Sequence, residues 1–253
     1  MILIRSALFN VWSFGVSFLV LLPATIVSLA APHRMLGFNA AWARIVLAGL
    51  GPICGIRIVV TGREHLPTSG AALIASMHQS AFDTIVWLTL LPRCCYVLKQ
   101  ELLRVPLFGR LIPPCRMIPI DRFGGAPSLR YLMKEGVRAA REGRQIVIFP
   151  EGTRAPPGEI LPLQSGVAAL AFGTGLPVIP VITDSGLHWG RRSFRKYPGT
   201  IHIAVQPPIP AGLRRLELMQ RLEAVFHGGM PPVTPPATGE VGGQLGTVDK
   251  SVD

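Results

Sequence analysis

The sequence has little charge, and acidic residues are the scarcer kind. Only 15% of its 253 residues are charged, whereas about 25% is usual for a globular domain. There are 14 acidic residues against 25 Lys and Arg, which gives a net charge of +11. The low charge, together with 49% hydrophobic residues, predicts a protein that lipid partly solvates. The positive excess predicts an anionic partner, either a phosphorylated substrate, an anionic membrane surface or nucleic acid.

Patterns typical of several other protein classes are missing. With only three tyrosines, no dense Lys/Arg run and no recognised binding motif, the sequence argues against a nucleic-acid partner. The cysteines form no CxxC pair and have no zinc-ligand spacing with histidine. No GxSxG elbow surrounds Ser80, and a serine two residues from His78 is poorly placed as its nucleophile, which disfavours a serine hydrolase. We expect reduced, buried thiols at the four cysteines, which are Cys54, Cys94, Cys95 and Cys115.

The amino-terminal segment, residues 1–56, is apolar and predicts a membrane anchor. Residues 6–32 carry no charged side chain and are long enough for a bilayer core, which needs about 20 apolar residues. Pro23 falls inside this run and predicts a kink or a turn back. A second apolar stretch, residues 35–56, is interrupted by Arg44 and predicts an interfacial helix rather than a span.

A secretory signal peptide is the alternative interpretation of the amino end. Arg5 would be its basic region, and Ser28-Leu29-Ala30 resembles a cleavage site. The apolar run exceeds the usual length of about 7–15 residues, which favours a retained anchor. Because most nearby arginines follow the run, we expect the larger carboxyl-terminal part to face the cytoplasm from the inner (cytoplasmic) membrane. These arginines are Arg34, Arg44, Arg57 and Arg63.

Residues 57–229 alternate strand and helix signals and predict one α/β domain, a mixed sheet flanked by helices. The predicted strands are residues 56–60, 71–75, 96–98, 146–149, 177–182 and 201–205. The predicted helices are residues 80–91, 128–141, 165–171 and 213–226, with Ser128 as the N-cap of the second. Residues 230–253 are rich in Pro, Gly and Thr without apolar periodicity, and predict a disordered tail.

His78 and Asp83 follow the predicted strand at residues 71–75, and chemistry in α/β folds gathers just beyond strand ends. Four residues separate the two side chains. They can therefore meet only if His78 lies in the strand-to-helix turn and Asp83 in the first helical turn. Asp83 would then fix the ring tautomer while the other ring nitrogen takes a hydroxyl proton, a role that contributes about 10²–10⁴-fold. The alternative is a surface histidine beside a carboxylate that the helix dipole favours.

A second polar loop, Phe149-Pro150-Glu151-Gly152-Thr153-Arg154, follows another predicted strand. Gly152 lets backbone approach a ligand closely, and Arg154 offers a forked donor suited to phosphate. Glu151 could accept a hydrogen bond from a substrate hydroxyl. The alternative is a polar turn with a surface ion pair.

Two further segments add to this pattern. Residues 99–122 mix basic and apolar side chains, as a surface that touches both phosphate and acyl chains does, and Arg122 is a second phosphate candidate. The alternative for its other cations, Lys99, Arg104 and Arg110, is a basic solvated face. Residues 178–181 most simply predict a core strand.

Together these blocks resemble the 1-acylglycerol-3-phosphate acyltransferases (lysophosphatidate acyltransferases) of the glycerophospholipid acyltransferase superfamily. The resemblance covers about residues 57–210 and the apolar amino end. Its most specific part is an HX4D motif followed by an intact FPEGTR. Met77 and Ala155 depart from the family pattern, where Asn and Ser are frequent, and these departures bear on acceptor preference. The four blocks, in the family's order, are His78 to Asp83, Lys99 to Gly109 with Ile120-Asp121-Arg122, Phe149 to Arg154, and Val178 to Val181.

The resemblance implies transfer of a fatty acyl group from acyl-coenzyme A or acyl carrier protein to the sn-2 hydroxyl of lysophosphatidate, giving phosphatidate. His78 would be the general base and Asp83 its partner. The acceptor hydroxyl would attack the thioester in a ternary complex, with no covalent acyl-enzyme, no metal and no tightly held cofactor. The residues expected to bind substrate are Lys99, Arg122, Glu151, Gly152, Thr153 and Arg154.

Two alternatives remain open from the sequence. A related enzyme would acylate another lysolipid, such as a lyso-ornithine lipid or a lysophospholipid. A non-catalytic membrane protein that binds anionic lipid would need only the basic charge and the apolar amino end. The intact pair of His78 and Asp83 favours an enzyme, because simple lipid binding does not need it.

Overall fold

A seven-stranded mixed sheet lies at the centre of this computed structural model, which describes residues 1–106 and 108–229. The mixed α/β sheet predicted from the sequence is confirmed, and the predicted tail at residues 230–253 lies outside the described residues. The strands follow the order β1-β7-β6-β2-β5-β3-β4. Their bounds are β1 (Ile56–Thr61), β2 (Ala72–Ser76), β3 (Cys94–Lys99), β4 (Ile118–Ile120), β5 (Gln145–Ile148), β6 (Val178–Thr183) and β7 (Gly199–Val205).

The direction of the strands fixes where the loops meet. Strands β6, β2, β5, β3 and β4 run parallel to one another, whereas β7 is antiparallel to β6 and parallel to β1. Every residue of β2, β5 and β6 is buried, as expected for parallel strands covered on both faces. The predicted core strand at residues 178–181 is thereby confirmed. The carboxyl ends of β2, β5 and β6 lie at one edge of the sheet, and the loops that follow them share that edge.

Helices cover both faces of the sheet. Alternate residues of each central strand join two separate hydrophobic clusters, one on each face. On one face Trp87 packs into the cluster, and on the other face Leu132, Leu170 and Leu222 do so. The helices of this part are α4 (Asp83–Leu90), α5 (Phe108–Leu111), α6 (Gly125–Arg141), α7 (Gly166–Thr174), α8 (Ser185–His188) and α9 (Arg215–Gly228), with 3₁₀ turns at Arg63–His65, Gln100–Arg104 and Pro113–Cys115.

Three helices precede the sheet: α1 (Ile2–Leu19), α2 (Leu21–Ala30) and α3 (Met35–Ala48). A 3₁₀ turn at Pro32–Arg34 precedes α3, and a π-helical turn at Leu50–Cys54 follows it. The first helix ends four residues before Pro23, where a proline ring clashes with the helical carbonyl, so the predicted kink is confirmed. Residues 2–30 and 32–54 are each long and apolar enough to cross a membrane, by length and composition alone. The exposed apolar faces of these helices point to membrane association.

The amino-terminal helices and the sheet share one core. Phe9 of α1 and Val46 of α3 lie in the same buried cluster as Trp87 and Ile203. Phe9 also meets Trp189 edge-on, with ring centroids 5.3 Å apart. Residues 1–56 are therefore packed as part of the same body as the sheet.

Several element boundaries differ from the predicted ones. Helix α4 begins at Asp83 rather than Ser80, because the residues between them form the loop described below. The prediction that Ser128 is an N-cap is wrong, since α6 begins earlier and Gly124 occupies the cap. Strand β4 was not predicted, because a three-residue segment with a central proline gives almost no strand signal. All four cysteines are free and buried, as predicted.

Candidate active site

The loops after β2 and β5 are joined directly at the carboxyl edge of the sheet. The backbone N–H of His78 donates to Oε2 of Glu151 at 2.6 Å. The backbone N–H of Ala155 donates to the carbonyl of His78 at 2.7 Å. These two bonds bracket His78, so the HX4D loop and the FPEGTR loop form one unit. The departure from the family pattern at Ala155 leaves this backbone contact intact.

His78 and Asp83 form a buried pair. Nδ1 of His78 lies 3.1 Å from Oδ2 of Asp83, and the His78 side chain is 12% exposed. Asp83 is the first residue of α4 and accepts the backbone N–H groups of Gln79 and Ser80 at 2.7 and 2.8 Å. The chain thus turns as the spacing requires, with His78 in the turn and Asp83 at the helix start. Because Asp83 is only 2% exposed, the alternative of an ordinary surface pair is wrong.

The His78 ring is contacted on one face by an aromatic ring, in addition to the contact of its Nδ1 with Asp83. Phe149 stacks on it, with ring centroids 4.2 Å apart and planes inclined by 22°. Tyr96 lies beyond Phe149, with its ring 6.2 Å away. With Nδ1 directed at Asp83 and one face covered by Phe149, Nε2 is the ring nitrogen that Asp83 does not contact. In the sequence, the only sign of this stack is the aromatic residue at the start of the FPEGTR motif.

Glu151 lies inside the site and not on the surface. It is 4% exposed, and its Oε1 is buried without a hydrogen-bond partner among the described residues. Burial raises the pKa of its carboxyl group to about 8, and the charge of Asp83 adds to this, while the His78 N–H works against it. Glu151 therefore carries a proton at neutral pH, and the alternative of a surface ion pair is wrong for this residue.

Two arginines lie beside the pair of loops. Arg122 follows β4 and donates through Nη1 to the carbonyl of Gly152. Gly152 has φ 68°, a conformation that glycine adopts most readily. Among the described residues, Nε of Arg154 is buried without a hydrogen-bond partner. Burial lowers the pKa of both guanidinium groups, which stay protonated. Within the described residues neither guanidinium forms an ion pair, so both are available to an anionic ligand.

The remaining predicted substrate-binding residues lie further out. Lys99, at the end of β3, forms an exposed ion pair with Glu101 at 3.1 Å. Thr153 is exposed at the turn of the FPEGTR loop. The structure therefore brings His78, Glu151 and Arg154 together. Lys99 lines the same cleft as His78 and Arg154, whereas Thr153 stays exposed outside it.

A cleft with a volume of about 670 Å³ connects this site to the amino-terminal helices. His78, Lys99, Arg122 and Arg154 form the polar end of its lining. The rest is mostly apolar and comes from α1 to α4, β3 and the segment before β4. These residues include Val20, Leu21, Phe38, Trp42, Ile85, Leu88, Leu98, Leu111, Ile112 and Met117. In the part of the chain that the structure describes, no cluster of three or more His, Cys, Asp or Glu side chains is arranged to hold a metal ion.

Comparison with known proteins agrees with this geometry. Residues 57–184, which contain both loops, match a family model described as acyltransferase. A 1-acyl-sn-glycerol-3-phosphate acyltransferase of Pseudomonas aeruginosa is 36% identical over 216 residues, covering 84% of this chain and 83% of the relative. The chain belongs to this acyltransferase family. The family resemblance predicted from the four blocks is confirmed.

More distant members of the acyltransferase family also match this chain. The 1-acyl-sn-glycerol-3-phosphate acyltransferase alpha of Bos taurus is 28% identical over 75% of this chain and 67% of its own length. The crystal structure of the 1-acyl-sn-glycerophosphate (LPA) acyltransferase PlsC from Thermotoga maritima matches with a TM-score of 0.74, covering 92% of this chain and 99% of that one. At 21% identity this match supports the fold, including the amino-terminal helices.

Proposed function

We propose that this acyltransferase moves a fatty acyl group from an acyl thioester to the sn-2 hydroxyl of lysophosphatidate, giving phosphatidate. The observation that carries the proposal is the largely buried pair of His78 and Asp83 at the polar end of an apolar cleft. Arg122 and Arg154 lie beside it and form no ion pair within the described part of the chain. The names of the related acyltransferases support the same reaction. The acyl donor, either acyl-coenzyme A or acyl carrier protein, is a co-substrate and not a resident cofactor.

His78 is the general base of the proposed reaction. Its Nδ1–H donates to Oδ2 of Asp83, which leaves Nε2 free to take the proton of the acceptor hydroxyl. The hydroxyl oxygen forms the new ester bond as it attacks the thioester carbonyl, and the carbon–sulfur bond breaks. His78 then returns the proton to the departing thiolate, so the enzyme ends unchanged. Direct attack in a ternary complex needs no acyl-enzyme.

The neighbouring polar groups bind and orient the acceptor. Arg122 and Arg154 offer forked donors to the phosphate. Glu151 is neutral at pH 7 and uses Oε2 to accept the His78 N–H. Its Oε1 has no hydrogen-bond partner in the part of the chain that the structure describes, so it can donate a hydrogen bond to a substrate oxygen, whereas the sequence suggested only an acceptor. Lys99, in the lining of the cleft, and Thr153, exposed outside it, contact the solvated part of a substrate headgroup.

The apolar part of the cleft accommodates an acyl chain next to the reacting atoms. Its walls are shared between the sheet domain and α1 to α3, so membrane attachment and substrate binding use the same helices. We place the enzyme at the cytoplasmic face of the inner membrane, because the arginines that follow the first apolar run outnumber the single one before it. A cytoplasmic position also gives access to thioester donors.

The test is acyl transfer from labelled acyl-coenzyme A and from acyl carrier protein to a panel of lysolipids, with wild type beside His78→Ala. We expect wild type to form phosphatidate from lysophosphatidate and the variant to lose about 10²–10⁴-fold in kcat. His65→Ala, which changes a histidine in the turn after β1, is the matched control and should keep wild-type turnover.

Three results would contradict parts of the proposal. Preference for an acceptor without a phosphomonoester, such as a lyso-ornithine lipid or a lysophospholipid, would refute the assignment to lysophosphatidate. Full turnover by His78→Ala would remove His78 as the base. No product with any donor or acceptor, in a protein that still binds anionic vesicles, would favour the non-catalytic lipid-binding alternative.

A further inference from the structure

The turn after β6 contacts the catalytic loop at two points. Oγ of Ser185 donates to Oδ1 of Asp83 at 2.6 Å, and Ser185 is fully buried. The backbone N–H of Gly186 donates to Oε1 of Gln79 at 3.1 Å. Gly186 packs so closely that a Cβ there would lie 2.9 Å from Cβ of Gln79. The turn therefore holds both the aspartate and the residue that follows His78.

A separate pair of bonds fixes this turn to the neighbouring strand. Oδ1 of Asp184 accepts the backbone N–H of His202 on β7, and its Oδ2 lies against Nδ1 of the same residue, both at 2.7 Å. Asp184 is 7% exposed. Because β7 is part of the sheet, these bonds hold Asp184 in place, and the next residue, Ser185, is thereby held against Asp83.

We propose that Ser185 is a positioning residue for the catalytic pair, an inference that rests on the proposed function. Asp83 has two carboxylate oxygens. Oδ2 faces His78, and the Ser185 hydroxyl engages the other. Holding Oδ1 fixes the plane of the carboxylate, and that plane sets the direction of the bond to the imidazole. Ser185 itself touches neither substrate in this arrangement and acts through Asp83.

Ser185 lies outside the motifs that identify the family. The family model ends one position earlier, at residue 184, and the fourth block ends at Val181. Ser185 and Asp83 are 102 positions apart in the chain, and only the parallel pairing of β2 and β6 brings them together. The positioning contact therefore depends on the fold and lies outside the four blocks read from the sequence.

A series of substitutions tests the proposal. Ser185→Ala removes the donor, and Ser185→Cys keeps a side chain of similar shape with a weaker donor. We expect kcat to fall about 10- to 100-fold in the alanine variant, as for a small misplacement of a catalytic group, and to be intermediate for cysteine. KM for both substrates should stay within about two-fold, because bound substrates keep their own contacts. Thr174→Val, which removes a hydroxyl bonded to the Leu170 carbonyl within α7, is the control for a loss of stability alone.

The melting temperature of each variant is measured beside its turnover. Wild-type turnover in this assay tests the proposed function, and every variant is compared with wild type on the lysolipid that wild type acylates. Low kcat in Ser185→Ala, with full kcat in an equally destabilised Thr174→Val, supports a positioning role. Wild-type kcat in Ser185→Ala overturns the proposal, and so does a rise in KM with kcat unchanged. If the alanine variant does not fold, the cysteine variant decides by the same criteria.

Discussion

The carboxyl group of Glu151 lies in surroundings that disfavour its negatively charged form. The group is buried against His78 and near Asp83, and its pKa is raised to about 8. The folded state therefore binds a proton that the unfolded chain releases near pH 4.5. Stability from this group is fully present below pH 4.5 and is lost as the pH rises through 8.

The free energy of unfolding should therefore depend on pH through Glu151, and Glu151→Gln should remove that dependence. We expect the free energy of unfolding of wild type to fall relative to Glu151→Gln between about pH 5 and 8.5, by at most about 1.4 kcal/mol per pH unit. Thermal unfolding of both proteins in the same detergent across this range measures the difference. Glu159→Gln, at an exposed carboxylate further along the same loop, is the control and should follow wild type. Parallel curves for wild type and Glu151→Gln would show that Glu151 is ionised throughout.

At the scale of residues, the sequence predicts the contacts that lie within one motif. His78 and Asp83 are close in the chain, so their meeting needs only a strand-to-helix turn. The stack of Phe149 on His78 and the bond from Ser185 to Asp83 join residues from different strands. Neither contact leaves a local pattern in the sequence, because each depends on which strands are neighbours in the sheet.

At the scale of elements, helix α1 has two apolar sides, one buried against the sheet domain and one exposed. Phe9 is fully buried against Trp189, whereas Phe14 on the same helix is 72% exposed. Lys196 adds a polar attachment, since its Nζ donates to Oδ1 of Asn10 at 2.8 Å. The helix is therefore docked on the sheet domain by one side and leaves the other side for lipid.

This division predicts unequal effects of two otherwise identical substitutions. Phe9→Ala should lower the free energy of unfolding of the whole protein by about 3–5 kcal/mol, because it removes a buried aromatic ring. Phe14→Ala should change it by less than about 0.5 kcal/mol. Denaturant unfolding in detergent, followed by tryptophan fluorescence, measures both. Equal and small effects would mean that α1 is an anchor independent of the sheet domain.

The sequence predicts elements well where their signals are strong. The kink before Pro23 and the six predicted strands follow from a proline and from apolar runs, and all are present with ends shifted by one or two residues. Strand β4 is not predicted because it is short. Its strand conformation comes from pairing with β3 and not from the strand preference of its own residues. The start of α6 is predicted too late in the chain, because Gly124 and Gly125 allow the helix to begin before Ser128.

At the scale of the whole molecule, exposed apolar residues are concentrated on α1 and α2. Phe14, Phe18 and Leu22 are each at least 70% exposed. These side chains form an apolar surface suited to a bilayer, and the net charge of the whole chain, +11, favours anionic lipids. Residues 1–34 cannot be deleted as a clean test, because the deletion also removes Phe9 from the core.

Substitution of the exposed residues is the sharper experiment. A triple variant should float less with anionic vesicles and should have nearly the same melting temperature as wild type. It combines Phe14→Gln, Phe18→Gln and Leu22→Gln. Phe172→Gln with Leu216→Gln is the control, because these residues are equally exposed but lie on helices α7 and α9 of the opposite face. Equal loss of flotation in both variants would refute the assignment of the membrane face to the amino-terminal helices.

The cleft whose walls are shared by α1 to α3 and the catalytic edge has a kinetic consequence. If the exposed sides of α1 and α2 lie in lipid, helices that also line the substrate site would let an acceptor enter from the surrounding leaflet without crossing water. The encounter then takes place in two dimensions, and the quantity that governs the rate is the mole fraction of acceptor in the surface. At a constant bulk concentration of acceptor, adding inert detergent should slow the enzyme, because it spreads the same molecules over a larger interface.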